Sequence, residues 1–257
     1  MDHGFLLKEL VRRDLQSRYR GSLFGFLWAF VHPLWQLALL WVVFSVILKV
    51  PLTGERTASF PVFLFSGLVP WLGFAESVQR AATAVVEHSG LVRKLRFPSA
   101  LLVVSSVGAA LLHQFVALAI FAVWQAVAGE PAWERLPWLL FGLTAQVALA
   151  LGLGWAAAAL QVFFRDVGQG LGIGLQAWFY LTPIVYPLSL LPENLRPWMA
   201  LNPMATTVQA FRTVLLGSPP PAAACGGTTA TSRTASAPGT PARSPGHAPS
   251  HPRPPRN

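Results

Sequence analysis

Polar and apolar positions follow two rhythms along this chain. Over residues 4–20 the rhythm is helical. Leu7, Val11, Leu15 and Tyr19 recur every four positions with Leu10 beside them, and Lys8, Arg12, Arg13, Arg18 and Arg20 surround the stripe. This is the pattern of an amphipathic helix lying in a membrane interface. Glu9 with Arg13, and Asp14 with Arg18, stand at i,i+4, where an ion pair adds a few tenths of a kcal/mol. A plain cytoplasmic anchor for the next segment fits the same pattern.

After that segment the rhythm gives way to long apolar runs. A run of about 18 residues or more with few charges marks a membrane span. The first covers about 27–48, with Trp28 and Trp35 near one end and Trp41 deeper. The second, about 60–84, is apolar through Pro70-Trp71 and then carries Glu76, Gln79 and Arg80. Glu76 and Arg80 are spaced to meet on one helix face. Charge inside a span faces protein or water, so they form a buried pair or line a polar path. The third run, about 99–128, is interrupted by His113-Gln114, and a lone His there is most simply an interhelical hydrogen-bond partner. The fourth, about 136–164, has a smooth face of Gly152, Gly154 and Ala156 to Ala159. The fifth, about 168–188, opens on Gly168, Gly170, Gly172 and Gly174, and its prolines Pro183 and Pro187 break or kink it near one face. Residues 189–217 are too interrupted for a sixth span and read as an outer-face, re-entrant structure with one short helix over Thr206 to Leu216.

Composition agrees. The chain is 53% apolar and 11% charged, with mean hydropathy +0.50, whereas soluble domains are about 25% charged. The net charge of +9 needs no nucleic acid, because Lys and Arg collect in the cytoplasmic loops of membrane proteins. The basic clusters lie in the N-terminal segment and in Glu87–Pro98, which places the N-terminus inside. Cys225 is the single cysteine, so no internal disulfide framework exists. From Ser218 the text, Cys225 and Asn257 apart, is Pro, Ala, Gly, Ser, Thr, Arg and His, which cannot bury a core and reads as disordered. The organisation is then 1–23 interfacial helix, 24–217 transmembrane domain and 218–257 low-complexity tail.

The stretch between the second and third spans, Gly90-Leu91-Val92-Arg93-Lys94-Leu95-Arg96-Phe97-Pro98, is a short basic helix. Ser89 can cap it, Leu91 and Leu95 share a face, and Pro98 ends it. Two readings stand: an ordinary positive-inside loop, or a docking helix for a cytoplasmic partner. Chemistry of the chain's own is missing. No lysine completes a Gly-Lys-Ser/Thr phosphate loop, no H-E-x-x-H or G-x-S-x-G occurs, and the histidines have no metal-ligand spacing.

The residues Arg13-Asp14-Leu15, Arg18-Tyr19-Arg20-Gly21-Ser22, Leu23-Phe24-Gly25-Phe26-Leu27-Trp28 and Pro33 resemble the N-terminal signature of ABC-2 type permeases that export polysaccharides. Arg93 to Pro98, Phe164-Arg165-Asp166-Val167, Thr182-Pro183-Ile184-Val185-Tyr186 and Asn202-Pro203 resemble later family positions in the same order. The resemblance covers roughly 5–217. It implies a non-enzymatic permease subunit in a bacterial cytoplasmic membrane, working as a homodimer, in contact with membrane lipid. Two ATP-binding subunits would drive it, with ATP and Mg on those subunits and no cofactor or metal on this chain. The substrate would be an O-antigen, capsule or teichoic-acid type glycan, usually lipid-linked. Gly90 to Pro98 then becomes the coupling helix and Arg165-Asp166 the second cytoplasmic contact, with Arg12, Arg13, Asp14, Arg18 and Tyr19 in the interfacial helix. Aromatic rings stack on sugar faces, so Trp71, Trp178, Phe179, Tyr180 and Tyr186, with Glu76 and Arg80, are candidates to line the substrate path. Packing or interfacial roles fit each aromatic singly. A permease for a drug or lipid, or a membrane scaffold without an ATPase, are the other readings.

The chain is thus expected to be an all-α polytopic membrane protein with an N-terminal interfacial helix and five spans. The family it resembles has six. The sixth should begin near residue 220, where the low-complexity text starts, and a shift of reading frame after about Gly217 would produce such text.

Overall fold

The computed structural model describes residues 9–12, 28–52, 59–90, 99–127, 133–192, 194–195, 198–199, 201–218 and 220–221, all within the unit Met1–Gly226. Among the described residues every regular element is helical. Helix α1, Trp28–Trp41, continues into a π-helical stretch, Val42–Ile47. Helices α2, Phe60–Glu87, and α3, Ala100–Val127, follow. A 3-10 turn, Trp133–Arg135, leads into α4, Leu136–Phe163, and then α5 covers Val167–Leu181. A second 3-10 turn, Leu188–Leu190, precedes α6, Pro203–Leu216.

Helices α2, α3 and α4 are long and apolar enough to cross a membrane. Each has 28 residues, about 42 Å at 1.5 Å per residue, against a hydrocarbon core of about 30 Å. Helix α1 with its π-helical extension is shorter. Helix α5 has 15 residues, roughly 22 Å, and stops well before the expected end near 188. Thr182 turns to extended backbone, with φ −94° and ψ 135°, as the residue before a proline is driven to do. The rest of that apolar run, Thr182 to Pro187, is a non-helical turn that is mostly buried.

Helix α2 is the centre of the bundle and packs on α4, α3 and α6, with α1 and α5 alongside. Phe63, Leu64, Leu68, Phe74 and Val78 on it are buried. Its buried hydroxyls are satisfied locally: Ser66 Oγ donates to Phe63 O and Ser77 Oγ to Gly73 O, the arrangement a low-dielectric interior requires. Helix α4 approaches it at Gly154, where a Cβ would come within 2.9 Å of Ala81 Cβ. Of the expected smooth face, Gly154, Ala157 and Ala158 are buried. Gly152 faces open space, and Ala156 and Ala159 are exposed. The outer side of α4 exposes Leu140, Trp155, Leu160 and Phe163, a surface suited to lipid or another helix.

Helix α6 is capped by Asn202, begins at Pro203, three residues earlier than expected, and is mostly buried against α2 and α4. It ends at Gly217, whose φ of 69° is left-handed. A Cβ there would come within 2.6 Å of the Arg135 guanidinium. At the N-terminus, residues 9–12 are helical, with Glu9 and Arg12 exposed and Leu10 and Val11 half-buried. Most of the expected interfacial helix, including Arg13, Asp14, Arg18 and Tyr19, lies outside the described residues, as does nearly all of the low-complexity tail.

Candidate functional site

Four polar or aromatic groups sit inside the bundle. The first is charged. Glu76 Oε1 lies 3.9 Å from Arg80 Nη1 one turn along α2, and 3.8 Å from His113 Nδ1 on α3. The i,i+4 spacing of Glu76 and Arg80 therefore puts them together, and His113 meets the same carboxylate oxygen across the helix interface. These separations exceed hydrogen-bond length. Arg80 and Glu76 keep 27% and 33% of their side-chain surface exposed and His113 keeps 14%. Gln79 is next to them, its amide nitrogen 3.2 Å from where a Cβ on Gly172 of α5 would be.

The second group is a reciprocal amide pair one residue further along α3. Gln114 Nε2 donates to Gln146 Oε1 at 3.0 Å, and Gln146 Nε2 donates to Gln114 Oε1 at 2.6 Å. Both side chains are buried. A Cβ on Gly73 of α2 would collide with Gln114 Oε1, so three spans converge here.

The third group is aromatic. Trp71 and Phe74 of α2 meet Trp178 and Phe179 of α5, with Trp71 centroids 6.2 Å from Trp178 and 5.7 Å from Phe179, and Phe74 5.5 Å from Trp178. Trp71 and Phe179 are buried, Trp178 and Tyr186 are half-buried, and Tyr180 is 53% exposed. Tyr180 stacks edge-on against Phe179, and the Tyr186 hydroxyl donates to Tyr180 O at 3.2 Å. These are the five aromatics named as path candidates on the family resemblance, and the structure brings them onto and beside one end of α5.

The fourth group ties that end of α5 to α6. Asn202 Oδ1 accepts from Trp178 Nε1 at 3.0 Å and from the backbone N–H of Met204 and Ala205. Its Nδ2 donates to Thr182 Oγ1 at 3.1 Å, and that hydroxyl donates to Trp178 O. One residue thus caps α6 and fastens α5. Arg212 of α6 is fully buried. Its Nη2 donates to Ile184 O at 3.0 Å, and its guanidinium lies 4.0 Å from the centre of the Phe63 ring, a cation–π contact. Arg212, Gln146 and Gln161 escaped sequence reasoning. The signal available was a polar side chain in otherwise apolar text.

Of the expected cytoplasmic contacts, Gly90 is exposed in a helical turn that opens at Ser89, and Leu91, Arg93, Lys94, Leu95, Arg96, Phe97 and Pro98 lie outside the described residues. Arg165 and Asp166 form an exposed turn between α4 and α5. Gln161 shapes it: Nε2 donates to Arg165 O at 2.9 Å, and Oε1 accepts from Gly168 N–H at 2.6 Å. Arg12 is exposed on the N-terminal helical turn.

The long apolar helices are those of a membrane protein, and the chain belongs to the ABC-2 type transporter family, whose profile matches residues 6–216. Among curated relatives, the O-antigen export system permease protein RfbA of Myxococcus xanthus is 34% identical over 81% of this chain and 79% of its own length. The RfbA permease of Klebsiella pneumoniae is 26% identical over 82% and 80%. The polysialic acid transport protein KpsM of Escherichia coli is 26% identical over 82% and 81%.

Proposed function

We propose that this chain is the permease subunit of an ATP-driven exporter that moves a polysaccharide, in lipid-linked form, across a bacterial cytoplasmic membrane. The observation that carries this is the family match over residues 6–216, together with relatives named for O-antigen and polysialic acid export. Two copies form the conduit. The N-terminus is cytoplasmic, the segment before residue 24 lies on the inner membrane surface, and five spans follow. ATP and Mg are handled by a separate ATP-binding subunit, and this chain binds no cofactor of its own. That subunit docks on Gly90 to Pro98 and on the Arg165-Asp166 turn. Tyr180, Trp178 and Tyr186 belong to the glycan path, with the buried Trp71 and Phe179 packed behind them.

The test is an affinity pull-down of the tagged full chain in mild detergent, beside a variant with Arg93, Lys94 and Arg96 changed to Glu. A stoichiometric ATP-binding subunit is expected with the wild type and is lost from the variant. A folded chain that captures no ATPase refutes the transporter reading. Capture undiminished by charge reversal refutes the docking role of Gly90 to Pro98.

A further inference from the structure

An aspartate placed just before a helix ordinarily caps it, and Asp166 does not. It stands at the start of α5, and its side chain makes no capping bond. A capping residue holds extended backbone, so that its side-chain oxygen can turn back to the second or third N–H of the helix. Asp166 has φ −81° and ψ −7°, which is helical backbone. The capping is done instead from the preceding helix. Gln161, buried in the last turn of α4, accepts from Gly168 N–H at 2.6 Å and donates to Arg165 O at 2.9 Å. Gly168 is the second residue of α5, so its N–H is one that a capping carboxylate would have taken. An amide carries a donor and an acceptor together, and can therefore hold both sides of the turn at once.

The consequence is what the turn shows to its surroundings. Phe163, Phe164, Arg165 and Asp166 are consecutive and all exposed. Aromatic residues and arginine are enriched where protein surfaces meet. A lipid surface suits the turn less well, because the cytoplasmic leaflet is anionic and repels a carboxylate.

We propose that Gln161 is a positioning residue for the ATP-binding subunit: it caps α5 in place of Asp166, and so keeps the Asp166 carboxylate presented to a basic side chain of that subunit. This rests on the exporter reading for its partner and orientation. It goes beyond the turn contact named there by assigning the charge that makes the contact and the buried residue that presents it. Without Gln161 the turn relaxes, Asp166 takes over the cap, and its carboxylate is withdrawn. Helix α5 then stays capped while docking is lost.

Two measurements on the purified full chain in nanodiscs test this. The first is backbone hydrogen exchange over residues 167–170 with no partner present. Asp166→Ala keeps the protection of the wild type, because Asp166 is not the cap. Gln161→Met, which keeps the shape of the side chain and loses both bonds, also keeps most of it, because Asp166 takes over. Only Gln161→Met/Asp166→Ala loses it, by roughly fivefold or more, the scale of one helix cap. The second is capture of the ATP-binding subunit at increasing salt. Asp166→Asn and Gln161→Met each weaken capture roughly tenfold, the scale of one charge-assisted hydrogen bond, and each flattens its salt dependence. The two together cost no more than either alone. Gln161→Glu, whose carboxylate still accepts from Gly168, retains most of the capture. Deprotection by Asp166→Ala equal to that of the double variant overturns the proposal, as does capture by Gln161→Met equal to the wild type. Losses that multiply in the double variant give the two residues separate roles and overturn it as well. A wild type that captures no subunit refutes the exporter reading, and the partner named here with it; the exchange result, which needs no partner, keeps the two failures apart.

Discussion

Replacing Gln146 with Leu tests how the bundle is held together. The substitution nearly conserves volume but removes both halves of the Gln114–Gln146 pair, whose amides bond at 3.0 and 2.6 Å. Interhelical hydrogen bonds in membranes average about 0.6 kcal/mol and reach about 1.7, so the two together contribute roughly 1–3 kcal/mol. The single variant also leaves the Gln114 amide buried between spans with water excluded, which adds a desolvation cost of similar size. Gln114→Leu/Gln146→Leu removes that stranded group and recovers much of the loss. A double-mutant cycle therefore yields a coupling energy of about 1–2 kcal/mol. Gly73→Ala is a second route to the same break, because its methyl would displace Gln114. Its cost is large in the wild type and small once Gln114 is Ala. Reversible unfolding of the purified chain in mixed micelles, followed by tryptophan fluorescence, measures these values. Additive single-variant losses, with no recovery in the double variant, would refute the reasoning.

Asn202→Ala loses the α6 cap and two side-chain bonds to α5, about 2 kcal/mol in the same unfolding assay, while Asn202→Asp keeps the cap and the Trp178 bond and costs less. Arg212→Lys is expected to destabilise by about 1–3 kcal/mol, and by more than Arg212→Met, because an ammonium is more strongly hydrated than a guanidinium and cannot both reach Ile184 O and lie flat on Phe63; equal stability of the Lys variant would contradict this. Sequencing the gene and reading the alternative frames from about Gly217 should reveal an apolar run of about 20 residues, one span, and if no frame contains it the frameshift expectation fails.

The apolar runs were legible because lipid demands continuous apolar text and an internally satisfied backbone. Runs expected at 60–84, 99–128 and 136–164 correspond to helices Phe60–Glu87, Ala100–Val127 and Leu136–Phe163. The spacing of Glu76 with Arg80 was also readable, since i,i+4 contact is a local property. Their meeting with His113 was not, because it depends on how α2 and α3 rotate against each other. Gln114 drew notice only as an interruption, and its partner Gln146 was overlooked, as one amide in a span says nothing about where a second will lie. The end of α5 was overextended for a different reason. Pro183 and Pro187 were read as breaking or kinking the run, but the apolar text of Thr182 to Pro187 carried its end on to about 188, whereas Pro183 drives Thr182 into extended backbone and the helix stops at Leu181. Arg212 was missed because it lies in a segment read as an outer-face, re-entrant structure, where an arginine is unremarkable; only the burial of α6 makes it exceptional.

The two ends of α5 are held by different forces, and this bears on where the protein yields first. At its C-terminal end, Trp178 and Thr182 are bound to Asn202, and the following turn is gripped at Ile184 by Arg212. Both partners belong to α6, which is itself buried against α2 and α4. At its N-terminal end the helix follows an exposed turn braced by Gln161, and Gly170 and Gly174 face open space. Moving the C-terminal end breaks several directional bonds in a low-dielectric interior, each worth more there than in water. Displacing the N-terminal end gives up little packing. On the proposed orientation, the end that yields easily is the one beside the Arg165-Asp166 turn, where the proposed ATP-binding subunit would push, and the bonded end faces outward. A push at the turn is therefore expected to pivot α5 about its Asn202 anchorage before that anchorage breaks, so Asn202→Ala should loosen the outer end without lowering affinity for the ATPase.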